Sequence, residues 1–412
     1  MLDTSRTQWT ALIEAKIGTA KINPDQVEQY VELARENNID AVITISNELT
    51  SIPKQTPYAL AGRASGKVAV YHWSWMRLIT IATLLIGGDE LFDAEQHFIL
   101  KEMLRYFTHD NIGVRGVNRM NADWKPLMSK IHAGGQIKKN DEKVVNTIRC
   151  WHQEVQDICL LLSRKLKVPV GLNLRRHHRE DQSVRVADDA SQLAETKQLT
   201  AIFEIPDVAG STEVVAHSLR RNILCRMQIA APRHLKRYAS RLNWLLRQLP
   251  EDTESSTSLR IYWEGGGETF ASIVDLRENI DIAEVGRPGA LPKSFEISTV
   301  TDLERKFFGP SSFVDGLEAA VPQFYDDIAR HIEAWQPTPP IGPAGGEAES
   351  LSEEIDALPG AKTGPKKVAQ RGEIEGRAFT IFEDGSMEVE TTQGIKWFKD
   401  LAALQSSHGV DV

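Results

Sequence analysis

The chain is poor in cysteine. Cys150, Cys159 and Cys225 are scattered along 412 positions, odd in number and without a C-x-x-C spacing. That pattern argues against a zinc site or a disulfide framework, and it fits a reducing cytoplasm. Long hydrophobic runs are missing too. The longest, "LITIATLLIGG" after Met76 and Arg77, is about half of a membrane span, so it reads as a buried helix. The opening "MLDTSRTQWT" lacks the charged-then-apolar order of a secretory signal. An excess of positive charge is absent as well: 48 Lys and Arg stand against 57 Asp and Glu, a net charge of -9. Such a chain does not coat nucleic acid or membranes over its whole surface, although a local basic patch stays open.

What is present is ordinary globular material, 41% hydrophobic and 25% charged, long enough for two or three domains. Residues 11–18 alternate as a strand should. "INPDQVEQYVELARENN" follows as a helix, with Pro24 in its first turn and Val27, Tyr30, Val31, Leu33 and Ala34 as its buried stripe. "DAVITIS" is a β-branched run of the kind found in a central strand covered on both faces. "KVAVYHWSW" gives a further strand that leads into an apolar helix, and another helix spans 92–108. This strand–helix–strand order predicts an α/β core with parallel strands over 1–135.

A long connecting helix is expected within 136–170, and a polar loop or linker over 171–198. Residues 199–336 read as a second α/β or α+β domain. Its expected strands lie near 200–205, 222–231, 258–264 and 268–274, and its helices near 233–248 and 311–335. Residues 337–371, rich in Pro, Gly, Ala and Glu, read as a flexible linker. A small β-hairpin module closes the chain over 372–412, turned at Asp384-Gly385 and followed by a strand and a short helix.

The chemistry concentrates in "LIEAKIG". Glu14 and Lys16 stand two apart on an expected strand, so they share a face. A carboxylate beside an ammonium at a strand end can hold a divalent metal and steady developing charge on a phosphate. Gln26 and Tyr30, four apart on the next helix, share a face with each other. An edge strand with a surface ion pair, and a tyrosine that is simply core, account for the same residues without any activity.

The order E-x-K on a strand, Q-x-x-x-Y on the following helix and then a parallel strand resembles the PD-(D/E)XK nuclease superfamily, in particular its RecB-like branch. The resemblance covers roughly residues 8–50. It implies a restriction-endonuclease-like mixed sheet flanked by helices, and a phosphodiesterase that cleaves DNA with Mg2+ or Mn2+. Glu14 would be the metal ligand and Lys16 the catalytic lysine, with Gln26 and Tyr30 orienting the site or contacting the phosphate backbone. The family also has a metal-binding aspartate on the preceding strand. Asp3 is the only acidic residue upstream of Glu14. If "TSR" turns a hairpin, Asp3 pairs near Gln8 or Trp9 and lies about 16–20 Å from Glu14 at strand rise. The proper partner would then precede Met1. The chain is accordingly expected to be either a nuclease whose true start lies upstream or a catalytically inactive nuclease-fold scaffold that binds nucleic acid.

Other features divide between function and structure. Arg220 to Arg247 contains eight basic residues and no acid, and Arg233, Lys236, Arg237 and Arg241 are its candidate phosphate contacts. An exposed helix face paired with acids elsewhere explains it equally well. "RRHHR" at 175–179 reads as a basic loop, because adjacent histidines rarely chelate one metal. "GRPGALPKS" fails as a phosphate loop, since Pro292 removes an N–H that the phosphates need. His72, between aromatics at a strand end, either lines a cleft or makes a core contact. Cytoplasmic localisation is expected.

Overall fold

The computed structural model describes residues 2–4, 7–50, 56–58, 60, 68–88, 93–253, 257–284 and 289–334, and four strands between 368 and 398. Met1–Pro337 form one compact unit and Thr338–Val412 a second. The first unit opens with β1 (Leu2–Thr4) and β2 (Thr7–Trp9), an antiparallel pair in which Asp3 stands opposite Gln8. There follow β3 (Ala11–Ala15), α1 (Pro24–Glu36), β4 (Ala41–Ser46), β5 (Ala69–Ser74), α2 (Trp75–Gly87) and α3 (Ala94–Phe107). Strands β3, β4 and β5 pair in parallel, in that order.

Local chemistry explains these elements. Asn23 caps α1 by accepting from the Asp25 amide at 3.0 Å, and Pro24 occupies the first turn, where its missing N–H is harmless. Val27, Val31 and Ala34 form the buried stripe, whereas Leu33, expected in it, is exposed and Tyr30 is half-buried. The stripe packs on Val42, while Ile43 and Ile45 on the other face of β4 meet Trp75 and Phe107. Every residue of β4 is therefore buried, as its unbroken β-branched run predicts.

The chain continues through α4 (Trp124–His132), the 25-residue α5 (Glu142–Leu166), β6 (Gly171–Leu172), α6 (Arg176–Glu180) and α7 (Gln182–Thr196). Next come β7 (Gln198–Glu204), β8 (Thr212–His217), β9 (Asn222–Ala230), α8 (Tyr238–Leu246), β10 (Ser258–Trp263) and β11 (Glu268–Ser272). The unit ends with α9 (Ile273–Glu278), β12 (Pro292–Asp302) and α10 (Pro310–Asp327). Seven strands make an antiparallel sheet in the order β11-β10-β12-β9-β8-β7-β6. Burial alternates along β7, β9 and β10, the signature of a sheet with one packed face. Residues from α4, α5, α7, α8 and α10 fill the core with it.

Several expectations are corrected here. The 171–198 segment is mainly helical rather than a loop. Asp181 caps α7 through the Ser183 amide at 2.7 Å, and Val186, Ala190 and Leu193 form a narrow apolar stripe in otherwise polar sequence. The "RRHHR" stretch lies in α6 instead of a loop. Strands β6, β8 and β12 join the sheet beyond those expected, and the helix near 233–248 begins only at Tyr238.

In the second unit, β13 (Val368–Ile374), β14 (Arg377–Phe382), β15 (Met387–Thr391) and β16 (Gly394–Phe398) form an antiparallel meander. The last residues expected in the linker thus belong to β13. The Asp384-Gly385 turn, the linker before β13 and the short helix expected after β16 lie outside the described residues.

Candidate functional site

Glu14 is the penultimate residue of β3 and Lys16 immediately follows the strand. The Lys16 amide still donates to the Ile45 carbonyl at 2.8 Å, which extends the ladder and keeps both side chains on one face. Their charged groups meet at 2.5 Å, with Glu14 15% and Lys16 31% exposed. The hydrogen bond to Glu14, followed by the attraction of its charge, raises the Lys16 ammonium above its ordinary value. Lys16 is thus held in the protonated form.

α1 brings two more polar groups to the same carboxylate. Gln26 Nε2 donates to the Tyr30 hydroxyl at 2.8 Å, and that hydroxyl donates to Glu14 Oε2 at 3.2 Å. The four residues named from the sequence are therefore joined in one chain, Gln26 to Tyr30 to Glu14 to Lys16. Edge-strand placement of β3 agrees with the simpler reading of the motif, but Tyr30 is more than core, because its hydroxyl is engaged.

Sequence reasoning missed the groups that hold this chain in place. The Trp75 indole donates to the Lys16 carbonyl at 2.8 Å, and its ring stacks on Phe107 with centroids 4.7 Å apart. Glu14, Thr44 and His72 stand in register across the three strands. His72 is buried, 2.9 Å from the Thr44 hydroxyl through Nδ1 and 3.0 Å from the Glu48 carbonyl through Nε2. A carbonyl can only accept, which assigns the proton to Nε2 and leaves Nδ1 to accept from Thr44. Burial lowers the His72 pKa, so the ring is neutral. His72 is therefore a satisfied core group, not a cleft residue.

Asn47 closes the other side. Its Nδ2 donates to the carbonyls of Gly18 at 3.0 Å and Gly113 at 2.8 Å, and its Oδ1 accepts from the Arg115 amide at 3.3 Å. Gly113 has φ +73°, and a Cβ there would come within 3.1 Å of the Gly18 Cα. Only glycine makes that approach without strain.

A divalent ion at this place would have Glu14 as its protein ligand. Each Glu14 oxygen accepts one bond, from Lys16 or from Tyr30, and keeps further lone pairs. One partly exposed carboxylate suits Mg2+, which retains several waters and takes substrate phosphates as ligands. Among the described residues, no set of three metal-ligating side chains includes Glu14. The backbone pairing of Asp3 with Gln8 sets it well back along the chain from Glu14.

The basic segment divides. Arg233, Lys236 and Arg237 are exposed. Arg241 is buried at 2% exposure and is removed from the phosphate-binding set. Its guanidinium donates to the Leu235 carbonyl at 2.8 Å, to Glu264 at 2.7 Å and to the Pro292 carbonyl at 2.5 Å. Arg226 is likewise engaged, by Glu213 at 2.8 Å. Among the described residues, no helix is long and apolar enough to cross a membrane. Compared with known proteins, the chain matches no family model, no curated protein and no solved structure.

Proposed function

We propose that Glu14, Lys16, Gln26 and Tyr30 form the centre of a Mg2+-dependent deoxyribonuclease with a restriction-endonuclease-like core. The reading rests on the convergence of these four side chains at the C-terminal end of a strand in a parallel sheet, where α/β proteins build their sites.

Glu14 would hold the metal, which when bound activates water and polarises a phosphoryl oxygen. Lys16, kept protonated by Glu14, offers a positive charge to the oxygens of the scissile phosphate as negative charge develops there. Tyr30 and Gln26 fix the Glu14 carboxylate in one orientation, and Trp75 does the same for the main chain at Lys16. Exposed Arg233, Lys236 and Arg237 would contribute phosphate contacts without reading sequence.

The test incubates supercoiled and linear DNA with the protein and Mg2+ or Mn2+, beside Glu14→Ala and Lys16→Ala. Cleavage by the parent protein that both substitutions abolish supports the assignment, and cleavage that survives them refutes it. The close Glu14–Lys16 ion pair also favours a second reading, since a carboxylate neutralised by its neighbour needs no metal. In that case the protein binds nucleic acid without cutting it, and the parent protein shifts DNA in a binding assay while leaving it intact.

A further inference from the structure

We propose that His177, His178 and Asp188 form a site for one transition-metal dication of the Zn2+ type, which clamps α6 to α7. His178 Nε2 lies 2.8 Å from Asp188 Oδ2, and His177 Nε2 lies 3.7 Å from the same oxygen. The two rings are edge-on, with centroids 4.3 Å apart, and the three ligand atoms all lie within 4.8 Å of one another. Two ligands about 2.0–2.1 Å from a tetrahedral ion stand roughly 3.3 Å apart, and the two observed separations straddle that value.

Adjacent histidines seldom achieve this, and the local fold explains the exception. α6 is five residues long, and a single residue, Asp181, joins it to α7. That corner folds α6 back along α7, where both imidazoles reach the same carboxylate. The rotation of α7 is pinned from the inside. Asp189 turns inward to His152 Nε2 at 2.6 Å, with Arg185 3.7 Å away. Its neighbour Asp188 is left facing the histidines. The His178 side chain is only 10% exposed and its ring bonds to Asp188, so one arm of the site is already ordered.

Two imidazoles and one carboxylate favour Zn2+, Co2+ or Ni2+ over Mg2+ or Ca2+, which prefer oxygen ligands. Three protein ligands leave a coordination position for water. A cleft of about 580 Å³ lined by His178, Asp188, Arg175 and Asn173 gives that position access from solvent. The site shares no residue with the Glu14 centre, and the scarcity of cysteine does not bear on it, because none of its ligands is a thiol.

The test titrates metal-free full-length protein with Co2+. One Co2+ per chain with a visible ligand-field spectrum, displaced by Zn2+ but not by excess Mg2+, is the expected result. His178→Ala and Asp188→Asn should each weaken binding by more than the roughly 10–100-fold carried by outer-sphere partners. His97→Ala, on α3, should leave binding unchanged. Zn2+ should also raise the Tm of the parent protein and not that of Asp188→Asn, a half-exposed position that tolerates the change without unfolding. Absence of stoichiometric Co2+ binding overturns the proposal. So does binding that persists in both ligand variants or is displaced by Mg2+.

Discussion

The Trp75 indole donates to the main-chain carbonyl of Lys16 at 2.8 Å, tying the first residue of α2 to the residue that follows β3. Trp75 directly follows β5, the strand at the opposite edge from β3, so the contact bridges the full width of the parallel sheet. Trp75→Phe keeps an aromatic ring near Phe107 but removes the donor and part of the buried ring volume. It is expected to cost about 2 kcal/mol in urea unfolding, one such bond plus the void left behind. In the nuclease reading it lowers kcat and leaves KM unchanged, because Lys16 loses alignment rather than charge.

Tyr30 is expected to act through Glu14. Tyr30→Phe removes the bond to Glu14 Oε2 and the acceptor for Gln26. About 1 kcal/mol of stability should be lost. A double-mutant cycle with Glu14→Gln should show a coupling of more than about 0.5 kcal/mol. Additive effects would show that the two side chains are merely neighbours.

Glu154 predicts the direction in which stability changes with pH. It is fully buried on α5, and both of its carboxylate oxygens lack a hydrogen-bond partner. Burial, then the charges of Glu318, Asp157 and Asp315, push its carboxyl up from 4.5 to about 9. Glu318 moves in the same direction, to about 7. A folded pKa above the unfolded one favours the neutral acid in the fold. Its contribution is complete below about 4.5 and is lost as pH rises toward about 9. Urea unfolding from pH 5 to pH 9 should therefore show falling stability. Glu154→Gln should flatten the fall, with a difference of a few kcal/mol at the alkaline end. Parallel curves for the two proteins would contradict this.

The basic segment should separate into stability and binding. Arg241→Ala takes the guanidinium donors from three main-chain carbonyls and empties a buried site, while the half-exposed Glu264 returns to water. A loss of about 2 kcal/mol is expected in urea unfolding. Arg233→Ala with Arg237→Ala should change stability by less than about 0.5 kcal/mol. The same pair should weaken DNA binding and flatten its logarithmic salt dependence by about 2. Unchanged DNA affinity would take the segment out of the function.

How much could be read in advance follows from the range of each interaction. The β3–α1–β4 unit was legible because its signals are local: Pro24 at a helix start, a stripe at helical spacing and the unbroken run of β4. The grouping of Glu14, Lys16, Gln26 and Tyr30 was legible because two neighbouring elements carry all four. Helix α7 was obscured by its few apolar residues, and β12 by the polar residues Ser294, Glu296 and Ser298 within its apolar pattern. Arg241 misled because charge suggests exposure, whereas its partners Glu264 and Pro292 lie far along the chain.

The sequence by itself determined the elements with strong internal periodicity and the pairing of charge between Glu14 on β3 and Lys16 just after it. Those depend on spacings within one or two turns, which backbone geometry imposes on any chain with that pattern. Only the tertiary structure decided that Trp75 and Asn47 brace the end of β3, that Arg241 is internal, and that His177, His178 and Asp188 meet. Each of those contacts joins separate elements, and no local preference encodes which face of one element will be turned toward another.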